Sequence, residues 1–468
     1  MNRYLSLVTA VGVACLSLVP LANVDPVYQI LLTLGAASDL PYNDRMNLFK
    51  SSLGLGFTTM SLAGIPISIL VTRTGCKVSA VFAHILQLLA LFLVFFVSSG
   101  PAISAGAVLC GIAFQLQTNS HLGVAALFPN ASAIVITLYG MAGDVSNYVP
   151  MSVLALMKQL EPQTVVYGWM GMVAGLAVID AVVVPVGDYS KDQATDEELE
   201  SLLSADKEKE VKATGPALWS LPAGAQIVSL PFISLTIYFI STFLKNKKFF
   251  AANVRDLLVA RFPTGDGLPY LDDPFTYLNF FNLANVFAFI PAIFVGIFAQ
   301  AQGAVALIVL HAISGTLMTL LPLFPMIQLQ LAGVLAYSIT CFNFSLVNVF
   351  IAEVFGFANI QVLQGIVCTL CGFFSLGYDL GWSWVFATFF NNDYTTVLQF
   401  MTLVGVGSIL MGLAMSLVVP KLPESEVPLP INTSAVMLTD EAAEALRRDS
   451  LARLADHAAQ TKRGSSLV

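Results

Sequence analysis

The chain has 468 residues, of which 57% are hydrophobic and only 11% charged. A soluble domain carries roughly a quarter charged residues, so a water-soluble globule is excluded and a bilayer is the solvent that fits. The net charge of −8 argues against nucleic acid as a partner.

About 20 apolar residues in helix cross a hydrocarbon core. That length places spans near 5–34, 51–71, 78–99, 102–127, 132–157 and 166–186, then near 225–246, 275–299, 303–322, 328–352, 360–388 and 398–420. The fold class is an all-α membrane protein with twelve transmembrane helices in two six-helix halves. Residues 1–186 are the first bundle, 187–224 a polar, acidic cytosolic linker, 225–420 the second bundle and 421–468 a polar cytosolic tail. Arg3 before Leu5–Leu21 resembles a signal peptide, but apolar sequence resumes at Val27. We read one span broken near Asn23–Pro26. Gly100–Pro101 and Pro129–Asn130 mark tight turns between spans.

Polar residues inside spans are costly, so each raises a functional question. In the fourth span Gln115 and Asn119 share a face. In the fifth, Gly140, Gly143, Asp144 and Asn147 share one, with glycines that allow close approach beside a carboxylate. Asp144 suits a substrate ammonium or a coupling proton. Tyr238 and Ser241 lie on a stripe of the seventh span, Asn285 in a polar sector of the eighth, and Tyr337 and Ser345 on a face of the tenth. Asp379, in the eleventh span, is similar to Asp144 but nearer an end, and Asp25 lies at the break in the first span, where water reaches it. His84, His121 and His311 are scattered, and each reads as a satisfied packing residue.

No Lys or Arg falls in the middle of a span, and Lys245, Lys247 and Lys248 are counted among the basic residues that fall on the outer side. A cation-free interior disfavours anionic cargo and suits neutral or zwitterionic solutes. Cys368 and Cys371 form a CxxC inside a helix, where small packing residues are the simpler reading. No cofactor, metal site or hydrolase motif is expected, and the protein reads as no enzyme. The linker carries nine acids and four lysines over 187–221. In the tail, Thr439-Asp-Glu opens like a capped helix, and Ser466-Leu-Val468 matches a C-terminal ligand pattern that marks a place for a protein partner.

The six-plus-six layout resembles the major facilitator superfamily. That family's loop after the second span carries Gly-x-x-x-Asp-Arg-x-Gly-Arg-Arg/Lys. Here Ser68-Ile-Leu-Val-Thr72-Arg73-Thr-Gly75-Cys76-Lys77 keeps Arg73, Gly75 and Lys77. Thr72 replaces the acid that pairs across helices, so the resemblance implies a gate that is weakened or differently built. The second-half counterpart, Gly296 to Gly303, keeps only glycines. Leu53-Gly-Leu-Gly-Phe57, Leu127-Phe-Pro-Asn130 and Phe355-Gly-Phe with Leu363-Gln-Gly365 are similar to the sodium-independent large neutral amino acid facilitators. That branch shows small polar residues where Asp144 stands.

The resemblance implies alternating access about a midplane cavity lined by spans one, four, seven and ten. Asn23, Gln115, Asn119, Tyr238, Ser241, Tyr337 and Ser345 then line it, with Asp144, Asn147 and Asn285 beside it. The leading expectation is a carrier of neutral or zwitterionic solutes such as large neutral amino acids, in the plasma membrane rather than an internal one. The alternatives are a proton-coupled carrier of a nucleoside, sugar or drug-like solute, and a non-transporting membrane sensor.

Overall fold

The computed structural model describes residues 3–17, 24–128, 131–146, 148–186, 218, 221–251, 253, 257, 284, 289–324, 326–340 and 343–419. Among them there is no strand, and helices fall on all twelve expected spans. In the first half these are α1 (Arg3–Ser17) and α2 (Val24–Thr33), α3 (Tyr42–Leu62) and α4 (Gly64–Thr74), α5 (Cys76–Phe92), α6 (Gly100–Leu122), α7 (Ser132–Val145) and α8 (Tyr148–Met157), and α9 (Pro162–Val183). In the second they are α10 (Ala223–Ile227) and α11 (Leu230–Phe243), α12 (Phe289–Gln302), α13 (Ala304–Leu320), α14 (Ile327–Thr340) and α15 (Asn343–Phe355), α16 (Ile360–Phe390) and α17 (Tyr394–Val418). A π-helical stretch, Leu244–Ala251, carries the seventh span beyond its expected end. Among the described residues, six helices are long and apolar enough to cross a membrane unaided, or eight spans when each of two bent pairs is one.

The first span is broken ahead of Val24, with Asp25 and Pro26 in the opening turn of α2. The expected tail, 421–468, lies outside the described residues, as does most of the expected linker, 187–224, whose last residues enter α10. Gly75 and Gly303 turn the chain at matching places in the two halves. Each is the N-cap of the next helix, with φ of 81° and 84°, a conformation that disfavours any side chain.

The apolar core is joined at one end and divided at the other. One cluster links Ile67, Val71, Leu122 and Tyr139 of the first half with Ala299, Leu346, Phe355 and Leu363 of the second. At the opposite end each half keeps its own core. Ile30, Phe49, Leu91 and Trp169 pack in the first half, and Phe249, Tyr337, Val397 and Leu398 in the second. The joined end carries the start of α1 and the end of α17, as helix parity requires.

The joint is organised by a break in the second span, where α3 and α4 meet at 56°. Pro66 has no N–H, so the carbonyl of Leu62, four residues earlier, loses its helical donor. Inside hydrocarbon no water replaces it. Thr369 of α16 does so from the other half. Its hydroxyl accepts from the Ile65 N–H at 2.9 Å and reaches the Leu62 carbonyl at 3.4 Å. Contact this close requires glycine on both sides. A Cβ on Gly64 would collide with the Gly365 carbonyl, and one on Gly365 with Ser68 Oγ.

Two predictions follow from these contacts. Thr369→Val keeps the shape but strands both backbone groups, at a cost of roughly 1–3 kcal/mol. That weakens the joined end by roughly 5- to 150-fold. A cysteine at Asn119, in a background without native cysteines, would then react faster with an impermeant thiol reagent, and Thr369→Ser would restore protection. At the divided end, Asp393 caps α17 by accepting from Thr395 N at 2.9 Å and Thr396 N at 3.1 Å. The Thr396 hydroxyl, and then these N–H groups, hold its carboxyl below the usual carboxylate range. Its contribution is therefore complete above about pH 4, the unfolded value, and is lost as pH falls through the lowered folded value. Asp393→Ala costs about 1 kcal/mol, read as faster hydrogen exchange of the Thr395 and Thr396 amides at neutral pH, with no further loss on acidification.

Candidate functional site

The gate at the joined end is uncharged. Ser68 Oγ donates to the Gln361 carbonyl at 2.8 Å, and Gln361 Nε2 donates to the Asn119 carbonyl at 3.2 Å. Thr72 is exposed, donates to Ser68 O at 2.8 Å and lies 3.5 Å from Gln361 Oε1. Arg73 is exposed on the last turn of α4, and Lys77 N donates to Pro185 O at 3.1 Å. Neutral hydrogen bonds and glycine contacts thus stand where the resemblance implies an ion pair. On the other flank Gly140 of α7 packs onto Ser345 of α15, and Gly296 of α12 onto Ile134 and Thr137. Behind this gate, Glu353 accepts from Ala304 N at 2.7 Å, placing a carboxylate at the positive end of α13.

Between the gate and the divided end an aromatic plug crosses the centre. Phe114 of α6 meets Phe344 of α15 with centroids 6.0 Å apart. Phe344 in turn meets Phe239 at 5.4 Å and Phe243 at 5.7 Å, both on α11. Its helices belong to spans four, seven and ten.

The expectation of a cation-free interior is wrong. The π-helical turn that extends α11 carries three lysines inward, because the helix does not end where apolar character does. Lys245 is 1% exposed and donates to the Gly315 carbonyl at 2.8 Å. Lys247 lies 5.4 Å over the Tyr337 ring. Lys248 pairs with Asp379 Oδ2 at 2.7 Å, and Thr58 of the first half donates to the same oxygen at 2.7 Å. The Lys248 and Asp379 side chains are 11% and 35% exposed. This pair and Thr58 put both signs of charge where the halves meet.

The remaining sequence candidates divide. Gln115 is buried, and its Nε2 bonds to no protein group. Asn119 serves the gate and reaches Ser68 Oγ at 3.4 Å. Ser345 is buried against Gly140, and its Oγ has no hydrogen-bond partner. Tyr337 stacks on Phe250 at 5.6 Å. Tyr238 faces its own half, with its hydroxyl 3.0 Å from Ile308 O and 2.7 Å from His311 Nδ1. Ser241 donates to Tyr238 O at 2.9 Å along its own helix. Asn23, Asn147 and Asn285 lie outside the described residues, as does the side chain of Asp144, whose backbone is in α7.

Sequence reasoning missed Lys248, Gln361, Thr369 and Asp180. The last was findable, being an acid inside the sixth span. Nor are His84 and His121 scattered, since both bond Asp180.

No family model matches the chain. The aromatic and large neutral amino acid transporter 5-3 of Toxoplasma gondii is 24% identical over 267 residues, covering 54% of this chain and 49% of the relative. The match thus spans about half the length of that relative. The proton:xylose symporter XylE has a TM-score of 0.63 at 13% identity, over 89% of this chain and 96% of its own. The human organic anion transporter MFSD10 scores 0.60 at 15% identity, over 89% and 99%. The E. coli fucose:proton symporter FucP scores 0.58 at 10% identity, over 88% and 99%. These proteins are transporters, not enzymes. With its apolar helices arranged in this way, the chain is an integral, multi-pass membrane protein with the major facilitator transporter fold.

Proposed function

We propose that the protein carries a zwitterionic solute, with large neutral amino acids as the leading class, across the plasma membrane by alternating access. The observation that carries this reading is the Lys248–Asp379 pair with Thr58 at the meeting of the halves. A zwitterion presents a carboxylate and an ammonium a few ångströms apart, and a partly exposed ion pair can exchange partners with it. The pair can meet both charges of a zwitterion at once. The aromatic plug behind it suits an apolar side chain.

An organic anion is the competing cargo, since Lys245 is a buried cation with no carboxylate partner among the described residues. Its 1% exposure decides against it, because an ammonium packed against Gly315 presents nothing to a solute. The amino acid transporter similarity supports the same choice, while the sugar symporters share only the fold. The joined and divided ends support the mechanism. They describe one of the two states alternating access needs, closed at the end bearing the start of α1 and the end of α17.

Uptake of labelled leucine into proteoliposomes tests the reading. Lys248→Met or Asp379→Asn would remove one charge-assisted bond, worth about 1.5–3 kcal/mol. The expected result is a KM raised about tenfold or more, with the protein still folded. Leucine uptake absent from wild type, or a KM unmoved in both variants, overturns it.

A further inference from the structure

The most polar cluster in the first half lies away from the ion pair, and its hydrogen bonds fix where its protons are. Ser17 Oγ donates to Val13 O at 3.0 Å, so it must accept from Gln117 Nε2 at 3.1 Å. That sets the Gln117 amide, whose nitrogen also lies 3.1 Å from His84 Nδ1, the nearer ring nitrogen. That nitrogen is 3.4 Å from His84 Nε2 as well and so lies over the ring face, while His84 Nε2–H donates to Asp180 Oδ2 at 3.0 Å. His121 differs. Its Nδ1 faces the Gln117 carbonyl at 3.0 Å, which can only accept, so Nδ1 carries a hydrogen. Its Nε2 then faces Asp180 Oδ1 at 3.2 Å. Two lone pairs cannot meet there, so one further proton lies between them, on one atom or the other.

We propose that Asp180 and His121 form a proton-binding site, and that its proton holds the gate at the joined end closed. The side chains are 0% exposed. With the proton the cluster has no net charge. Without it the carboxylate keeps the His84 N–H but has no cation beside it in a dry interior, an arrangement the packing cannot keep. The helices around it supply His84 from α5, His121 from α6, Tyr139 from α7 and the non-titrating Ser17 from α1. Tyr139 stacks on His121 at 6.2 Å and donates to Gln117 O at 3.2 Å. The link to the gate is short, since His121 lies two residues beyond Asn119, whose carbonyl takes the Gln361 amide. Releasing the proton disturbs the turn of α6 that carries this bond, so the gate opens as pH rises.

The proposal rests on the alternating-access reading but not on any solute, and its test uses none. Spin labels at Arg73→Cys on α4 and at Ala358→Cys, exposed in the turn just before α16 and its Gln361, in full-length protein without other cysteines and in lipid nanodiscs, report the gate. Wild type should show the inter-label distance lengthening as pH is raised. Asp180→Asn bonds both histidines with its amide and has no proton to lose, so its distances should stay short at every pH. Nitrogen-15 spectra of wild type supply a second readout, since the chain has only four histidines to assign. While the gate is closed, His84 should be neutral with its proton on Nε2, and His121 Nε2 should be protonated or share its proton. Distances independent of pH in wild type, an Asp180→Asn response equal to wild type, or a His121 Nε2 with no proton near it each overturn the proposal. The spectra decide even if the variant fails to fold.

Discussion

A backbone carbonyl in hydrocarbon must find a donor, and at Pro66 the chain cannot provide one from its own helix. Thr369 supplies it from the other half. The consequences extend outward from that hydroxyl. The helix bends at the break, glycines at 64 and 365 bring the backbones into contact, and Ser68 and Gln361 continue the seam. Closure at this end is thus a way of satisfying polar groups rather than of pairing charges. Such a seam has a second solution when the halves part, because water entering the opened end can satisfy the same carbonyl. Both states are then tolerable, as a carrier requires.

The charges follow a different logic. A lysine in an apolar interior needs a partner, a carbonyl or water. Lys248 takes a carboxylate from α16 and stays partly exposed, whereas Lys245 takes only a carbonyl and is sealed. One can meet a solute and the other sets the packing of α11 against α13. Counting intramembrane cations therefore says less about cargo than asking which of them water can reach.

Much of the architecture was legible because hydrocarbon imposes length and composition on every span. Boundaries at Cys76, Gly100, Ala304 and Ile360 coincide with turn residues that the sequence displays. The seventh span was misjudged because Leu244–Ala251 stays helical while turning polar, and hydropathy cannot distinguish a polar loop from a polar helix facing inward. The Ser68–Lys77 stretch was legible as a loop motif, but the gate depends on Gln361 and Thr369, which a motif from the other half does not reveal. Stripes of polar residues were a poor guide for Tyr238, since a helix face shows what lies together and not what lies opposite. Asp180, like Asp144, is visible in the sequence as an acid inside a span. Its meaning lies in the two histidines from other helices, which no spacing along the chain predicts.

Those histidines also expose an asymmetry between the halves. Measured from Gly75 and Gly303, His84 and His311 stand at nearly the same depth in α5 and α13. In the second half His311 meets Tyr238 and the Thr340 carbonyl, a set that needs no charge. In the first half the equivalent place opens onto Asp180 and a second histidine. Two halves of one design thus keep the same buried position polar, but among the described residues only the first builds an acid into it. The acid in the first half carries a desolvation cost that its counterpart avoids, and that cost is what ties a proton to the packing of α6, the helix that meets the gate.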